Sequence, residues 1–310
     1  MDLVGSPAAL RRWTVASLAA NVAIVVTGGL VRVTSSGLGC STWPQCEPGS
    51  YVPHPDAGVH AYIEFGNRLL TFVLVIVAVG TLLAAWKARD ADGRPRPLLR
   101  GLAIGVVGGI LAQAVIGGIS VLTQLNPWVV GAHLLPSIAL IVACVLLVHE
   151  AYDWPGVAVS VPIRRLVLAV AGFGLVAMLL GVVVTGAGPN SGDGAALRNG
   201  LDLVTTARVH SLSVWLVVAL TVLLVVLTRA HPAARRAVLV VLGVELFQGA
   251  VGYAQYFLAL PPALVVLHML GTALFTAALA HLWWSTRSLV TDLSEPRSAI
   301  AERGSDKSVR

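Results

Sequence analysis

Eight long apolar runs, separated by short polar segments, dominate the chain. The runs occupy residues 13–33, 61–86, 99–122, 127–148, 163–185, 204–228, 236–258 and 262–284. Each is long enough to cross the ~30 Å hydrocarbon core of a bilayer, which takes roughly 20 helical residues. The pattern predicts an all-α integral membrane protein with eight transmembrane helices, numbered here as spans 1 to 8. Span 1 is too long for the apolar region of a cleavable signal peptide and lacks an A-x-A-type site after it, so we expect it to be retained.

Composition and charge support a membrane location and predict the orientation. Of the 310 residues, 56% are hydrophobic and 12% are charged, whereas soluble domains carry about 25% charged residues. Seventeen of the 21 Lys and Arg residues lie on one side of the spans, and basic residues concentrate in cytoplasmic loops. We therefore predict a multi-pass plasma-membrane protein with both termini in the cytoplasm. The net charge of +6 follows from this topology and does not indicate a nucleic-acid partner.

Two segments of the chain match each other without a gap, residues 113–135 and residues 248–270. The aligned pairs, at an offset of 135, include Gln113 with Gln248, Gly117 with Gly252, and His133 with His268. Each half has four spans that start on the cytoplasmic side, and parallel repeats of this kind are related by an axis along the membrane normal. We predict two pseudo-symmetric four-helix bundles. The predicted regions are a cytoplasmic N-terminus (1–12), an N-terminal bundle (13–148), a cytoplasmic linker (149–162), a C-terminal bundle (163–284) and a disordered cytoplasmic tail (285–310).

Three histidines lie inside spans, where ionisable side chains are costly and mark functional sites. His268 comes six residues after Pro262, which places it about 9 Å from the outer start of span 8. His133 and His210 have similar depths in spans 4 and 6. Because His133 and His268 belong to different bundles, paired axial ligation of haem fits better than one metal ion shared by all three. We predict His210 and His268 as one axial pair; the simpler alternative is that each histidine only hydrogen-bonds a neighbouring helix.

The first half lacks a histidine at the position that matches His210. An offset of 143 between spans 2 and 6 aligns Asn67 with His210. Glu64 lies three residues before Asn67, on the same helical face, and its counterpart in the second half is Ala207. This asymmetry predicts one site that holds a haem at two axial positions and one site that carries out chemistry.

Several motifs together resemble the haem A synthases, which oxidise a methyl group of haem O to the formyl group of haem A for terminal oxidase biogenesis. They are GGLVRVTSSGLGC with STWPQC after span 1, IEFGNRLLT in span 2, VVVTGAGPNSGD after span 5, RVHSLSVWL in span 6 and the segments around His133 and His268. The resemblance runs over residues 18–284. It implies an oxidoreductase with a haem b cofactor in the C-terminal half and substrate haem O in the N-terminal half.

The resemblance also implies roles for individual residues. The implied haem b ligands are His210 and His268, the ligand on the substrate side is His133, and the catalytic carboxylate is Glu64. The family's usual histidine in span 2 is replaced by Asn67, which is a poor haem ligand and could leave the iron open on that side. His60, seven residues earlier, is either a substitute ligand or an interfacial histidine.

Cys40 and Cys46 lie in the first outer loop, on the side of the membrane where disulfides persist. We predict that they form a disulfide, either as a structural staple or as a redox-sensitive element that influences haem delivery. The outer loop after span 5 lacks the cysteine pair that some members of the resembled family have there.

Three arginines on the outer side, Arg32, Arg68 and Arg208, need partners near the membrane. Haem propionates directed toward the outer interface would supply charge-assisted pairs. Alternatively, Arg32 and Arg68 pair with Glu64 or Asp56, or extend to the interface. Both interpretations stay open. The remaining buried polar residues are expected to hold helices together (Gln113, Gln248 and Glu245) or to cap the cytoplasmic ends of spans (His149 and His281).

Two other functions fit parts of the pattern. A non-enzymatic di-haem cytochrome b in quinone-linked electron transfer needs the same histidines but predicts two paired ligations, which Asn67 opposes. A transporter predicts helices broken at the midplane, and no span has a convincing central break. For a haem A synthase, the expected partners are haem O, a haem O synthase that hands it over and an electron donor, with a second copy of the chain as an option.

Overall fold

The computed structural model describes residues 4–288, and every regular element in this range is an α-helix. The helices are α1 (Pro7–Val33), α2 (Val59–Lys87), α3 (Pro97–Leu122), α4 (Pro127–Ala151), α5 (Val161–Ala187), α6 (Leu203–Leu227), α7 (Pro232–Phe257) and α8 (Pro262–Ser285). All eight are long and apolar enough to cross a membrane. The chain is therefore an eight-span integral membrane protein, as predicted. The predicted tail lies outside the described residues from residue 289 onward.

Local signals at the helix starts explain where the structure departs from the apolar runs. α1 begins at Pro7, where Ser6 accepts a hydrogen bond from the backbone N–H of Ala9 at 3.1 Å. α7 begins at Pro232. Proline favours the first helical turn because it has no N–H to satisfy there. Both helices start several residues before their apolar runs. The first two turns of each contain polar residues and can be helical outside the hydrocarbon core.

Four helices form each half of the molecule. In the first half α1 contacts α2 and α4, and α3 contacts the same two helices; in the second half α5 and α7 each contact α6 and α8. The pairs α2 and α4, and α6 and α8, are therefore diagonal, and among the described residues no Cα atoms of such a pair lie within 8 Å of each other. The halves meet through α1, α4, α5 and α8. The same order of neighbours recurs, while the pseudo-symmetric repeat and its domain bounds stay predictions.

On α4, α6 and α8, the three helices that carry the predicted iron ligands, tight packing is concentrated toward one end. Because the chain crosses eight times, residues 4 and 288 lie on the same side, which we call the inner end; the opposite side is the outer end. The buried residues of α6 begin at Val217, those of α8 at Gly271 and those of α4 at Leu140. All three positions lie on the inner side of the histidine of the same helix. The histidines therefore sit beyond the closely packed core, toward the outer end.

Candidate functional site

His210 of α6 and His268 of α8 face each other across the second bundle. Their ring centroids are 6.5 Å apart, and the ring planes make an angle of 80°. Two imidazoles bound to opposite sides of one metal, each through a bond of about 2 Å, have centroids about 6 Å apart. The predicted axial pair is thus brought together by diagonal helices, at a spacing that fits one iron between the rings.

The ring nitrogens of this pair are suited to ligation. His210 Nδ1 lies 3.0 Å from the carbonyl oxygen of Ala177, so Nδ1 carries the proton and Nε2 is the nitrogen with a free lone pair. A carbonyl that fixes the tautomer in this way is a common feature of metal-binding histidines. His268 Nδ1 is buried, and within residues 4–288 it has no hydrogen-bond partner. These observations fit a haem-binding pair better than two histidines that only hold helices together.

Repeat-related glycines flank the histidines of α4 and α8. A Cβ atom added at Gly252 of α7 would lie 3.5 Å from Cε1 of His268, and one added at Gly117 of α3 would lie 3.0 Å from Cε1 of His133. Each imidazole therefore packs against the backbone of the preceding helix. The absence of a side chain at these positions lets the ring approach closely.

A half-buried glutamine anchors the histidine helix in each bundle. Gln248 Nε2 donates hydrogen bonds to the carbonyl oxygen of His268 at 3.1 Å and to Thr272 Oγ1 at 3.3 Å. Thr272 Oγ1 donates to the same carbonyl at 3.0 Å. The corresponding groups of the first bundle, hydrogen-bonded in the same order, are Gln113 Nε2, Ser137 Oγ and the carbonyl oxygen of His133. Both glutamines therefore join neighbouring helices, as expected, and they do so next to the histidines that are candidate iron ligands.

The first bundle differs from the second at the position opposite the histidine. His133 and Asn67 lie on the diagonal helices α4 and α2, and Asn67 Oδ1 is buried without a hydrogen-bond partner in the described range. His60 is exposed in the first turn of α2, with Nδ1 3.0 Å from Ser36 Oγ. This contact corresponds to the interfacial alternative for His60. The ligation of an N-terminal haem opposite His133 stays a prediction.

Glu64 lies buried in the outer part of α2 with both carboxylate oxygens engaged. Oε2 accepts a hydrogen bond from the backbone N–H of Cys40 at 2.6 Å. Oε1 accepts from Arg68 Nε at 3.1 Å and Nη2 at 2.5 Å. Of the two interpretations of Arg68, the contact present here is the ion pair with Glu64. The carboxylate that we expect to be catalytic therefore joins α2 to the first outer loop.

Cys40 and Cys46 form a disulfide, with an S–S distance of 2.08 Å, as predicted. Residues 40–46 are called the disulfide loop below. Arg68 donates to three carbonyl oxygens of this loop, those of Cys40 at 3.3 Å, Thr42 at 3.0 Å and Gln45 at 3.2 Å. One guanidinium group thus fixes the whole loop against α2.

The other two outer arginines have different surroundings. Arg32 Nη2 donates to the carbonyl oxygen of Asn190 at 2.8 Å, which ties the end of α1 to the loop between α5 and α6. Its Nε is buried without a partner among the described residues. Arg208 is exposed on α6, two residues before His210. A propionate-binding role for any of the three arginines stays a prediction.

Comparison with known proteins identifies the family. A family model described as cytochrome oxidase assembly protein, COX15-CtaA, matches residues 11–280. The chain belongs to this family. The match reaches all eight helices and includes the three histidines predicted as iron ligands, so it confirms the resemblance indicated by the motifs.

Curated proteins similar to the chain carry the name heme A synthase. The protein of Geobacillus thermodenitrificans is 35% identical over 112 residues, which are 36% of this chain and 32% of that protein. Those of Staphylococcus epidermidis and Staphylococcus aureus are each 29% identical over 146 residues, 45% of this chain and 46% of the relative. The chain thus spans less than half the length of the curated relatives it matches.

Two features of this COX15-CtaA chain were missed by sequence reasoning. Ser137 and Thr272 are the hydroxyl partners of Gln113 and Gln248. They are aligned by the same offset of 135 as the glutamines, so the repeat could have revealed them. The hydrogen bond from Arg32 to Asn190 joins residues 158 positions apart. No local pattern predicts it, because it depends on how the two halves meet.

Proposed function

We propose that this protein is a haem A synthase, an oxidoreductase that converts a methyl group of haem O to the formyl group of haem A for terminal oxidase biogenesis. Membership of the COX15-CtaA family supports this function, as do the relatives named heme A synthase. The observation that carries the proposal is the pair of imidazoles 6.5 Å apart in the second bundle, opposed to an Asn and a buried carboxylate in the first.

The two bundles have different tasks in this proposal. His210 and His268 hold haem b in the second bundle, and that haem supplies a relay for electrons when it is bound. His133 holds the substrate haem O in the first bundle. Asn67 is a poor iron ligand, so the side of the substrate that faces α2 is left for the reaction.

Glu64 is the proposed catalytic residue of the first bundle. Arg68 and the N–H of Cys40 fix the positions of its two oxygens, which restricts the carboxylate to one orientation. A carboxylate held in this way accepts or returns protons at a defined point beside the substrate. Arg208 and, after rearrangement, Arg32 are the proposed partners of haem propionates at the outer end.

The proposed setting is the plasma membrane, with both termini in the cytoplasm and the histidines in the outer half of the bilayer. Haem O reaches the first bundle from a haem O synthase, and a separate donor supplies the electrons. A homo-oligomer is compatible with this arrangement.

Extraction and chromatographic separation of the haems in the purified protein tests the proposal. Haem B together with haem O or haem A is the expected result. Haem B alone would favour the electron-transfer cytochrome, and a protein without haem would exclude both functions.

A further inference from the structure

The disulfide loop reaches the helix that flanks His133. A Cβ atom added at Gly118 of α3 would lie only 2.3 Å from Cδ2 of Trp43, so the indole lies directly on the backbone of that helix. The preceding residue, Gly117, packs against the His133 imidazole, with its added Cβ 3.0 Å from Cε1. Trp43 and His133 therefore contact adjacent residues of α3. An aromatic side chain from an outer loop thus lies at the depth of the first-bundle histidine.

Trp43 is carried by a segment that is anchored to a different helix. Arg68 of α2 donates to the carbonyl oxygens of Thr42 and Gln45, which bracket Trp43 and its following proline. The disulfide closes the same segment on itself. The loop is therefore fixed to α2 while its indole rests on α3, and it covers the boundary between these two helices at the outer end.

The second bundle closes the equivalent boundary with side chains from the helices themselves. The offset of 135 aligns Gly118 with Tyr253 of α7. The hydroxyl group of Tyr253 accepts a hydrogen bond from Trp215 Nε1 of α6 at 3.0 Å. Both of these aromatic side chains are attached to helix backbones. A loop-borne indole can leave when a few hydrogen bonds to the loop break.

We propose that Trp43 contacts the substrate haem in the first bundle and closes its site on the side between α2 and α3. This inference rests on the proposed function, in which the first bundle exchanges its haem in every turnover and the second keeps it. The flat apolar face of a porphyrin matches an indole, since aromatic rings stack with offset or edge contacts. Displacement of the disulfide loop then opens the site to haem from the membrane.

The test measures how fast the protein releases haem O. Full-length protein is loaded with haem O without oxygen, and transfer of haem to excess apomyoglobin is followed by absorbance. Trp43→Ala is expected to speed the release about tenfold, which corresponds to about 1.4 kcal/mol. Trp43→Phe, which keeps an aromatic ring, is expected to retain most of the wild-type residence time.

A second variant moves the indole without removing it. Gly118→Ala places a methyl group in the space of the Trp43 ring and is expected to speed the release in the same way. Gly108→Ala is the matched control, because a Cβ at Gly108 of α3 meets no atom within 4 Å. Retained haem B in each variant shows that the second bundle is folded.

The outcomes separate this inference from the proposed function. If both Trp43→Ala and Gly118→Ala release haem O within twofold of the wild-type rate, Trp43 does not contact the substrate. If the wild-type protein binds haem B but no haem O, the proposed function fails, and the role of Trp43 fails with it. If Trp43→Ala loses haem B as well, the haem O release rates of Gly118→Ala and Gly108→Ala are compared instead. Faster release from Gly118→Ala alone supports the contact between Trp43 and haem O, and equal rates contradict it.

Discussion

Replacing Arg68 with alanine is predicted to release the disulfide loop while both histidine sites stay in place. The guanidinium group bonds Glu64 and the carbonyl oxygens of Cys40, Thr42 and Gln45. The side chains of the ion pair are 21% and 7% exposed for Arg68 and Glu64. Removing one partner of a buried pair costs about 3–5 kcal/mol. Because Arg68 is partly exposed, we take the lower value, about 3 kcal/mol, as the loss of loop anchoring.

The rate of disulfide reduction measures this loss. Cys40 and Cys46 are both 0% exposed, so a water-soluble phosphine reaches them only when the loop opens. When closing is fast, the reaction rate follows the population of the open form. A loss of about 3 kcal/mol then speeds reduction by about 150-fold. Quenching with a maleimide mass tag at successive times gives the rate.

Two further variants make the Arg68 experiment specific. Arg89→Ala removes an exposed arginine that follows the inner end of α2 and is expected to leave the rate unchanged. Adding Glu64→Gln to Arg68→Ala removes the unpaired charge and is expected to recover part of the loss. A reduction rate of Arg68→Ala within threefold of wild type would refute the reasoning, because the loop would then be held by something other than this guanidinium.

The other predictions concern the haem sites. Glu64→Gln is expected to lower haem A formation by about 100-fold or more with unchanged haem B content; normal haem A formation would remove Glu64 from the reaction. His268→Ala is expected to abolish haem B binding and to spare haem O binding, as measured by haem extraction, and normal haem B content would contradict the axial pair. Gln248→Leu removes the Gln248 hydrogen bond to the carbonyl oxygen of His268 and leaves the one from Thr272; it is expected to shift the midpoint potential and electron paramagnetic resonance spectrum of the second-bundle haem only. Gln113→Leu is expected to act only on the first-bundle haem, and unchanged spectra in both variants would limit the glutamines to helix packing.

The eight helices were predictable because hydrocarbon imposes a length and a composition on each span. The predicted spans did not include the first turns of α1 and α7, because these helices begin at Pro7 and Pro232 among polar residues. That His210 and His268 lie near each other agrees with their matched depth on alternate helices of one bundle. Their proximity was thus predictable, while their role as an axial pair stays a prediction.

The surroundings of Glu64 were not predictable from the sequence alone. Its pair with Arg68 is an i,i+4 contact within α2, and the sequence left open whether Arg68 faced Glu64 or a propionate. The N–H of Cys40 and the position of Trp43 on α3 depend on the path of an irregular loop rich in Pro and Gly. Such a path is set by tertiary contacts that no periodicity records.

The most direct test of the account is haem A formation in a host that makes haem O and lacks its own haem A synthase. The chain is expressed in this host, and total membrane haems are separated by reversed-phase chromatography. The account predicts that haem A appears with the wild-type chain and is nearly absent with Glu64→Gln. Accumulation of haem O without haem A, from a chain that retains haem B, would contradict the proposed function.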